Sequence, residues 1–154
     1  MKLALDRRFG FLVNEIGRLY SQQFDVLGRQ RLGLSQAQCR VIAVLAAHEG
    51  PRALSQAELA GKLGLSAMAV AGLCDRMAAA GWIRREPHPS DRRANHLYLE
   101  PRARKALERA LVIGDELSAQ TLASLSASER AQLIALLGKA RAGLMRLQDE
   151  AKAA

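Results

Sequence analysis

Between Ser55 and Gly81 a serine-capped helical stretch, a glycine turn and a second serine-capped stretch follow one another, and a hairpin broken by prolines comes directly after. Ser55-Gln56-Ala57-Glu58 reads as a capping box, in which the serine hydroxyl accepts from the third helical amide and the glutamate reaches back to the serine amide. It opens a short helix with Leu59, Ala60 and Leu63 turned inward, and Gly64 can supply the left-handed residue that closes it. Ser66 caps the next helix, which runs to about Ala80 with Val70, Leu73, Cys74 and Met77 as its buried stripe. Helix, tight turn and helix at this spacing is a helix-turn-helix arrangement, a weak signal by itself because many helical proteins contain short helix pairs. The next eighteen or so residues sharpen it. Trp82-Ile83-Arg84-Arg85-Glu86 predicts a strand, and Pro87-His88-Pro89-Ser90-Asp91 predicts irregular structure. Asn95-His96-Leu97-Tyr98-Leu99 alternates polar and apolar as a returning strand does. A hairpin with a long charged tip, set immediately behind the second helix, is a wing.

The flanks are helical. Phe9, Leu12, Val13, Ile16, Leu19, Tyr20, Phe24 and Leu27 recur every three or four residues from about Asp6 to Gln30 and form one apolar stripe. The pattern breaks at Arg31-Leu32-Gly33-Leu34, and a capping box at Ser35-Gln36-Ala37-Gln38 starts a second helix carrying Val41, Ile42, Val44 and Leu45. That helix is expected to end near His48-Glu49-Gly50, with Gly50-Pro51 as the stop. Pro101 suits a first helical turn, with Leu107, Leu111, Leu117 and Leu122 behind it. A third capping box, Ser126-Ala127-Ser128-Glu129, opens a final helix with Leu133, Leu136, Leu137, Ala140, Leu144 and Leu147. The chain is 49% hydrophobic and only 4% aromatic, which favours helix over sheet. The expected fold is mainly α with a small β-hairpin wing. Residues 35–100 form the winged helix-turn-helix, and 1–34 with 101–154 form a helical region.

The charge is unevenly placed. The chain carries a formal net charge of +8, and from Arg84 to Lys105 seven cations stand against Glu86, Asp91 and Glu100, so this stretch holds half of it. A cluster of arginines on a hairpin behind a helix-turn-helix suggests double-stranded DNA as partner. The helix after the turn can lie in the major groove, and Ser66 presents free amides that can hold a phosphate. Arg92 and Arg93 at the wing tip can reach backbone or minor groove. Asp91 can pair with an arginine and orient it, or the pair can be a surface ion pair worth ~0–1 kcal/mol. The alternative is a solvated arginine-rich hairpin. A membrane surface fits less well, because the cations do not line an amphipathic helix.

Other function classes find no support. Cys39 and Cys74 lack any zinc-ligand spacing and read as small core residues; a redox role for either stays open. His48, His88 and His96 have no carboxylate or thiol at ligand spacing, so no metal and no cofactor are expected. Nucleophile elbow, P-loop, dinucleotide fingerprint and metalloprotease helix are all absent, so the chain does not read as an enzyme. The N-terminal residues become charged too early for a signal peptide, and the apolar runs are too short for a membrane span, which points to the cytoplasm.

The stretch from Leu34 to Leu99 resembles the MarR family of bacterial transcription regulators. The features that carry the resemblance are Leu34-Ser35-Gln36-Ala37-Gln38, Glu58-Leu59-Ala60, Cys74-Asp75-Arg76-Met77, Gly81-Trp82-Ile83, then Arg85, Pro87 and Pro89, and the wing signature Asp91-Arg92-Arg93-Ala94. The resemblance implies a two-fold homodimer joined through the first and last helices and bound to a pseudo-palindromic operator. It also implies repression relieved by a small effector, often a lipophilic or phenolic anion. By matching position, Asp91 and Arg93 are the wing pair, Arg85 the basic residue of the first wing strand, and Arg76 the exposed cation of the recognition helix. Arg84 adds to the same basic surface. Tyr20 and Phe24 fall where the effector cleft would be, or are dimer-core aromatics. One departure stands out. The front of the recognition helix is Ala67-Met68-Ala69-Val70-Ala71-Gly72, so Ala67, Met68 and Ala71 would meet the bases without a hydrogen-bond code, though they can touch a thymine methyl. A helical dimer acting through protein contacts, with weak DNA binding, is the alternative.

Overall fold

The computed structural model describes residues 4–48, 53–87, 90 and 95–153. The chain forms two compact units, Met1–Asp115 and Glu116–Ala154. In the first, a short 3-10 turn (Leu5–Arg7) precedes α1 (Phe9–Leu32), α2 (Gln36–Ala47), α3 (Gln56–Leu63), α4 (Ala67–Ala79), the strands β1 (Ile83–Pro87) and β2 (Asn95–Leu99), and the start of α5 (Pro101–Thr121). The second unit contains α6 (Ala127–Ala153).

Local chemistry sets the helix ends. Gly33 adopts φ 68°, ψ 20°, a left-handed conformation that closes α1. Its amide donates to the Arg29 carbonyl at 3.2 Å, and the Leu34 amide donates to the Gly28 carbonyl at 3.3 Å. This folds the chain tightly back onto Gly28, where an added Cβ would lie 2.8 Å from the Leu34 carbonyl oxygen. Gly28→Ala is therefore expected to destabilise the protein by about 1–3 kcal/mol, since a backbone atom, not a flexible side chain, must give way. Urea denaturation followed by circular dichroism checks this. Asp25 fixes the same corner. One carboxylate oxygen accepts from Arg29 Nε at 2.7 Å and the other from the Gln36 amide at 2.9 Å. The Arg29 hydrogen bond, then the Gln36 amide, hold the Asp25 carboxyl below its ordinary range.

Capping boxes start α2 and α3 as their sequences imply. Ser35 Oγ accepts from the Gln38 amide, and Gln38 Oε1 accepts from the Ser35 amide. Ser55 and Glu58 repeat this. Gly64, at φ 65°, ends α3, and Ser66 Oγ accepts from the Ala69 amide at 3.2 Å to begin α4. In the second unit Ser126 and Glu129 make the same reciprocal pair at the start of α6.

The strands pair antiparallel, from Ile83 opposite Leu99 to Pro87 opposite Asn95. The first strand thus begins one residue later than the sequence suggests and takes in Pro87, which the sequence places in the turn. The Trp82 amide donates to the Met77 carbonyl at 2.9 Å and so belongs to the end of α4. Pro87 occupies the last pair, where a missing amide costs little. Glu49, Gly50, Pro51, His88 and Pro89 lie outside the described residues. The hairpin is tied to the helices by an isolated bridge between Ser55 and His96, and by the Leu97 amide donating to the Leu54 carbonyl at 2.9 Å.

The core of the first unit joins Leu34, Val41 and Ile42 to Leu59 of α3, Val70, Cys74 and Met77 of α4, Leu97 of β2 and Ala103 of α5. Much of the apolar stripe of α1 is not in it: Phe9, Leu12, Val13, Ile16 and Leu19 are exposed. On α6, Ile134, Leu136, Leu137, Leu144, Met145 and Leu147 are also exposed.

Candidate nucleic-acid interface

The buried stripe Val70, Leu73, Cys74 and Met77 holds α4 against the core and turns the opposite face outward. Ser66, Ala67, Met68, Ala69, Asp75 and Arg76 are exposed, and Ala71 and Gly72 are half-buried. Met68 is 85% exposed, the most exposed large apolar residue among the described residues. Arg76 reaches back along the helix, its Nη1 lying 3.4 Å from where a Gly72 Cβ would be. Gly72 lies one turn after Met68 on this face, and Ala69 is exposed at its edge.

Three of the described basic residues behind α4 are engaged within the chain. Arg85 sits on β1 with its Nη1 2.7 Å from an Asp75 carboxylate oxygen and its Nη2 donating to Gln56 Oε1 at 3.2 Å. It ties the first wing strand to the start of α3 and the middle of α4, and its Nε is buried with no hydrogen-bond partner among the described residues. Arg84 donates to Glu86 at 2.9 Å and stacks 4.7 Å from the Tyr98 ring centre. Arg102 donates to the Ala80 carbonyl at 2.8 Å, closing the end of α4, and lies 3.7 Å over the Trp82 ring. These three cations have partners within the chain. Asp91, Arg92 and Arg93 lie outside the described residues.

Both cysteines are free and buried. Burial, aided by the Asp25 charge, pushes the Cys39 thiol up to about 11. Burial also raises Cys74, while the Arg85 guanidinium pulls the other way. Thiolate, the reactive form, is scarce in such a setting. A chromogenic disulfide reagent at pH 8 is expected to modify neither cysteine in the native protein and both in urea; rapid native modification would contradict this. The unfolded Cys39 ionises at about 8.5, whereas the folded one keeps its proton to about 11. Its contribution to stability is thus intact below the lower value and is lost as pH rises through that window.

Tyr20 and Phe24 are half-buried where α1 meets α5. Tyr20 donates to the Gly114 carbonyl at 3.1 Å, and Phe24 ring atoms lie within 4 Å of the Cβ positions that Gly28 and Gly114 lack. A cleft of about 580 Å³ lies beside the end of α1, lined by Arg31, Leu32, Trp82, Arg102, Lys105 and Arg109, with Ala106 and Glu108. Four cations around an indole and aliphatic walls suit a flat organic anion. Proximity of Arg31 to Arg102 and Arg109 leaves no trace in the sequence, because it arises from the fold.

A helix-turn-helix whose second helix runs directly into a two-stranded hairpin defines a winged-helix protein. Residues 32–94 match the model of the MarR family. The transcriptional regulator PecS of Dickeya dadantii is 28% identical over 106 residues, covering 69% of this chain and 64% of PecS, so the match spans less than two thirds of that relative. The crystal structure of apo MarR from E. coli superposes with a TM-score of 0.78 at 23% identity, covering 86% of this chain and 96% of that one. MepR of S. aureus, solved as a complex with DNA, gives a TM-score of 0.73 at 24% identity, covering 88% and 98%. These structural likenesses establish the fold. PecS is described as a transcriptional regulator and MepR as a transcription regulator. Among the described residues no single helix is long and apolar enough to cross a membrane.

Proposed function

We propose that this chain is a sequence-specific DNA-binding regulator of transcription, acting in the cytoplasm as a homodimer on a pseudo-palindromic operator and released by a small anionic effector. The observation that carries this reading is α4 itself. Its inner stripe is locked into the core, its outer face bears Ser66, Ala67, Met68 and Arg76, and a hairpin with basic residues comes after it. That is the arrangement for laying a helix in the major groove while flanking cations meet the backbone. The complex of MepR with DNA supports it by likeness of fold. The dimer rests on the exposed apolar faces of α1 and α6, which are too large to leave in water. We assign the helical parts, residues 1–34 and 101–154, to that interface. The effector is best placed in the cleft of Arg31, Trp82, Lys105 and Arg109. Repression is the simplest outcome of a bound operator that an effector clears.

Fluorescence anisotropy on DNA from upstream of its own gene, against a scrambled duplex at two salt concentrations, tests the reading. Selective binding by a dimer supports it, and a screen of lipophilic and phenolic carboxylates for loss of that signal then finds the effector class. A second reading, a helical dimer working through protein contacts, is favoured by the 85% exposure of Met68. Equal, salt-fragile binding to both duplexes would move it to first place.

A further inference from the structure

The outward face of α4 is short of hydrogen-bonding groups. Ser66 Oγ accepts from the Ala69 amide at 3.2 Å, which leaves only its O–H to donate. Ala67, Met68 and Ala69 have no polar side-chain atoms suited to reading bases, Gly72 has no side chain, and Asp75 is held by Arg85 at 2.7 Å. Arg76 and the Ser66 O–H are the remaining side-chain donors, and Gly72 leaves room for the Arg76 guanidinium to lie back along the helix. A long apolar side chain at 85% exposure in the first turn of this helix does nothing for the core. In the major groove one group is apolar, the C5-methyl of thymine, and guanine is the base an arginine grips with two hydrogen bonds.

We propose that Met68, flanked by Ala67 and Ala69, is a specificity-determining residue that reads thymine methyl groups, with Arg76 supplying a guanine contact within about four base pairs. This rests on the DNA-binding reading above and adds what the helix selects. Methionine suits the task because its unbranched thioether adapts to a methyl without a fixed geometry. The net charge of +8 favours a polyanion over an apolar protein surface as the partner of this face. The half-site is then marked by thymines beside a guanine.

The test uses the full chain. Binding sites are enriched from a random duplex pool, and each thymine of the enriched site is replaced in turn by deoxyuridine, which removes only the methyl. Affinity is measured for the wild type and for Met68→Ala. One or two replacements per half-site are expected to weaken the wild type about fourfold for each methyl lost, and Met68→Ala should show no penalty at those positions. An enriched site at which no uracil matters, or a penalty that survives unchanged in Met68→Ala, overturns the proposal while leaving the regulator intact. A pool from which no sequence is enriched overturns the regulator and this proposal together. The uracil difference is insensitive to a general loss of fold, which would weaken both duplexes alike.

Discussion

Met77→Ala is expected to lower the free energy of unfolding by about 2–5 kcal/mol, while Met68→Ala, nine residues earlier on the same helix, should change it by no more than about 0.5 kcal/mol. The chemistry of the two substitutions is identical and the environments are opposite: Met77 is 0% exposed and Met68 is 85% exposed. Met77 is the last large residue of the buried stripe of α4, and its carbonyl accepts from the Trp82 amide at the start of the hairpin. Truncating it removes apolar area from the core and leaves a cavity where α4 turns into β1, and a well-packed interior relaxes only partly around such a gap. At Met68 nothing packs, and alanine favours helix slightly more than methionine. Urea denaturation read by circular dichroism decides it, at a fixed protein concentration because the stability of the proposed dimer depends on it. Equal effects of the two substitutions would mean that α4 is seated the other way round, and the proposed reading face would fall with it.

The same contrast shows what the sequence could and could not disclose. The three capping boxes, the left-handed Gly64 and the buried stripe of α4 depend on residues within one helical turn of each other, so spacing suffices to find them. The hairpin is legible from its alternation, but its start falls one residue beyond the expected position, because the Trp82 amide is claimed by α4 and only the fold decides that. The bridge from Ser55 to His96 spans a single pair and leaves no alternating run to detect. Charge is the least legible feature. Counting cations from Arg84 to Lys105 locates a basic region, but cannot tell that Arg85 is engaged by Asp75 and Gln56, or that Arg102 closes α4 over Trp82. Those partners are 10 to 29 residues away for Arg85 and 20 or 22 for Arg102, and no local pattern links them. The stripes on α1 and α6 likewise announce an apolar face without saying what covers it.

Because Arg84, Arg85 and Arg102 have internal partners, the wing-tip pair should dominate the salt dependence of DNA binding. Arg92→Ala combined with Arg93→Ala is expected to reduce the slope of log affinity against log salt by roughly 2, and to weaken binding by about 30-fold at physiological salt. The reason is electrostatic. Each arginine that neutralises a phosphate releases a condensed counterion, so removing two contacts removes two ions' worth of salt dependence whatever the base sequence. Asp91 beside them is suited to orienting a guanidinium rather than to stabilising the fold. The double substitution should therefore leave the urea midpoint unchanged. Arg102→Ala gives the opposite signature, because it loses the bond to the Ala80 carbonyl and the stack on Trp82. Its expected effect is a lower urea midpoint with little change in slope. Anisotropy titrations at several salt concentrations, run with denaturation of the same preparations, separate the two. An unchanged slope in the double variant would take the wing tip out of the DNA contact and leave α4 to hold the duplex through Arg76 and the amides at its start.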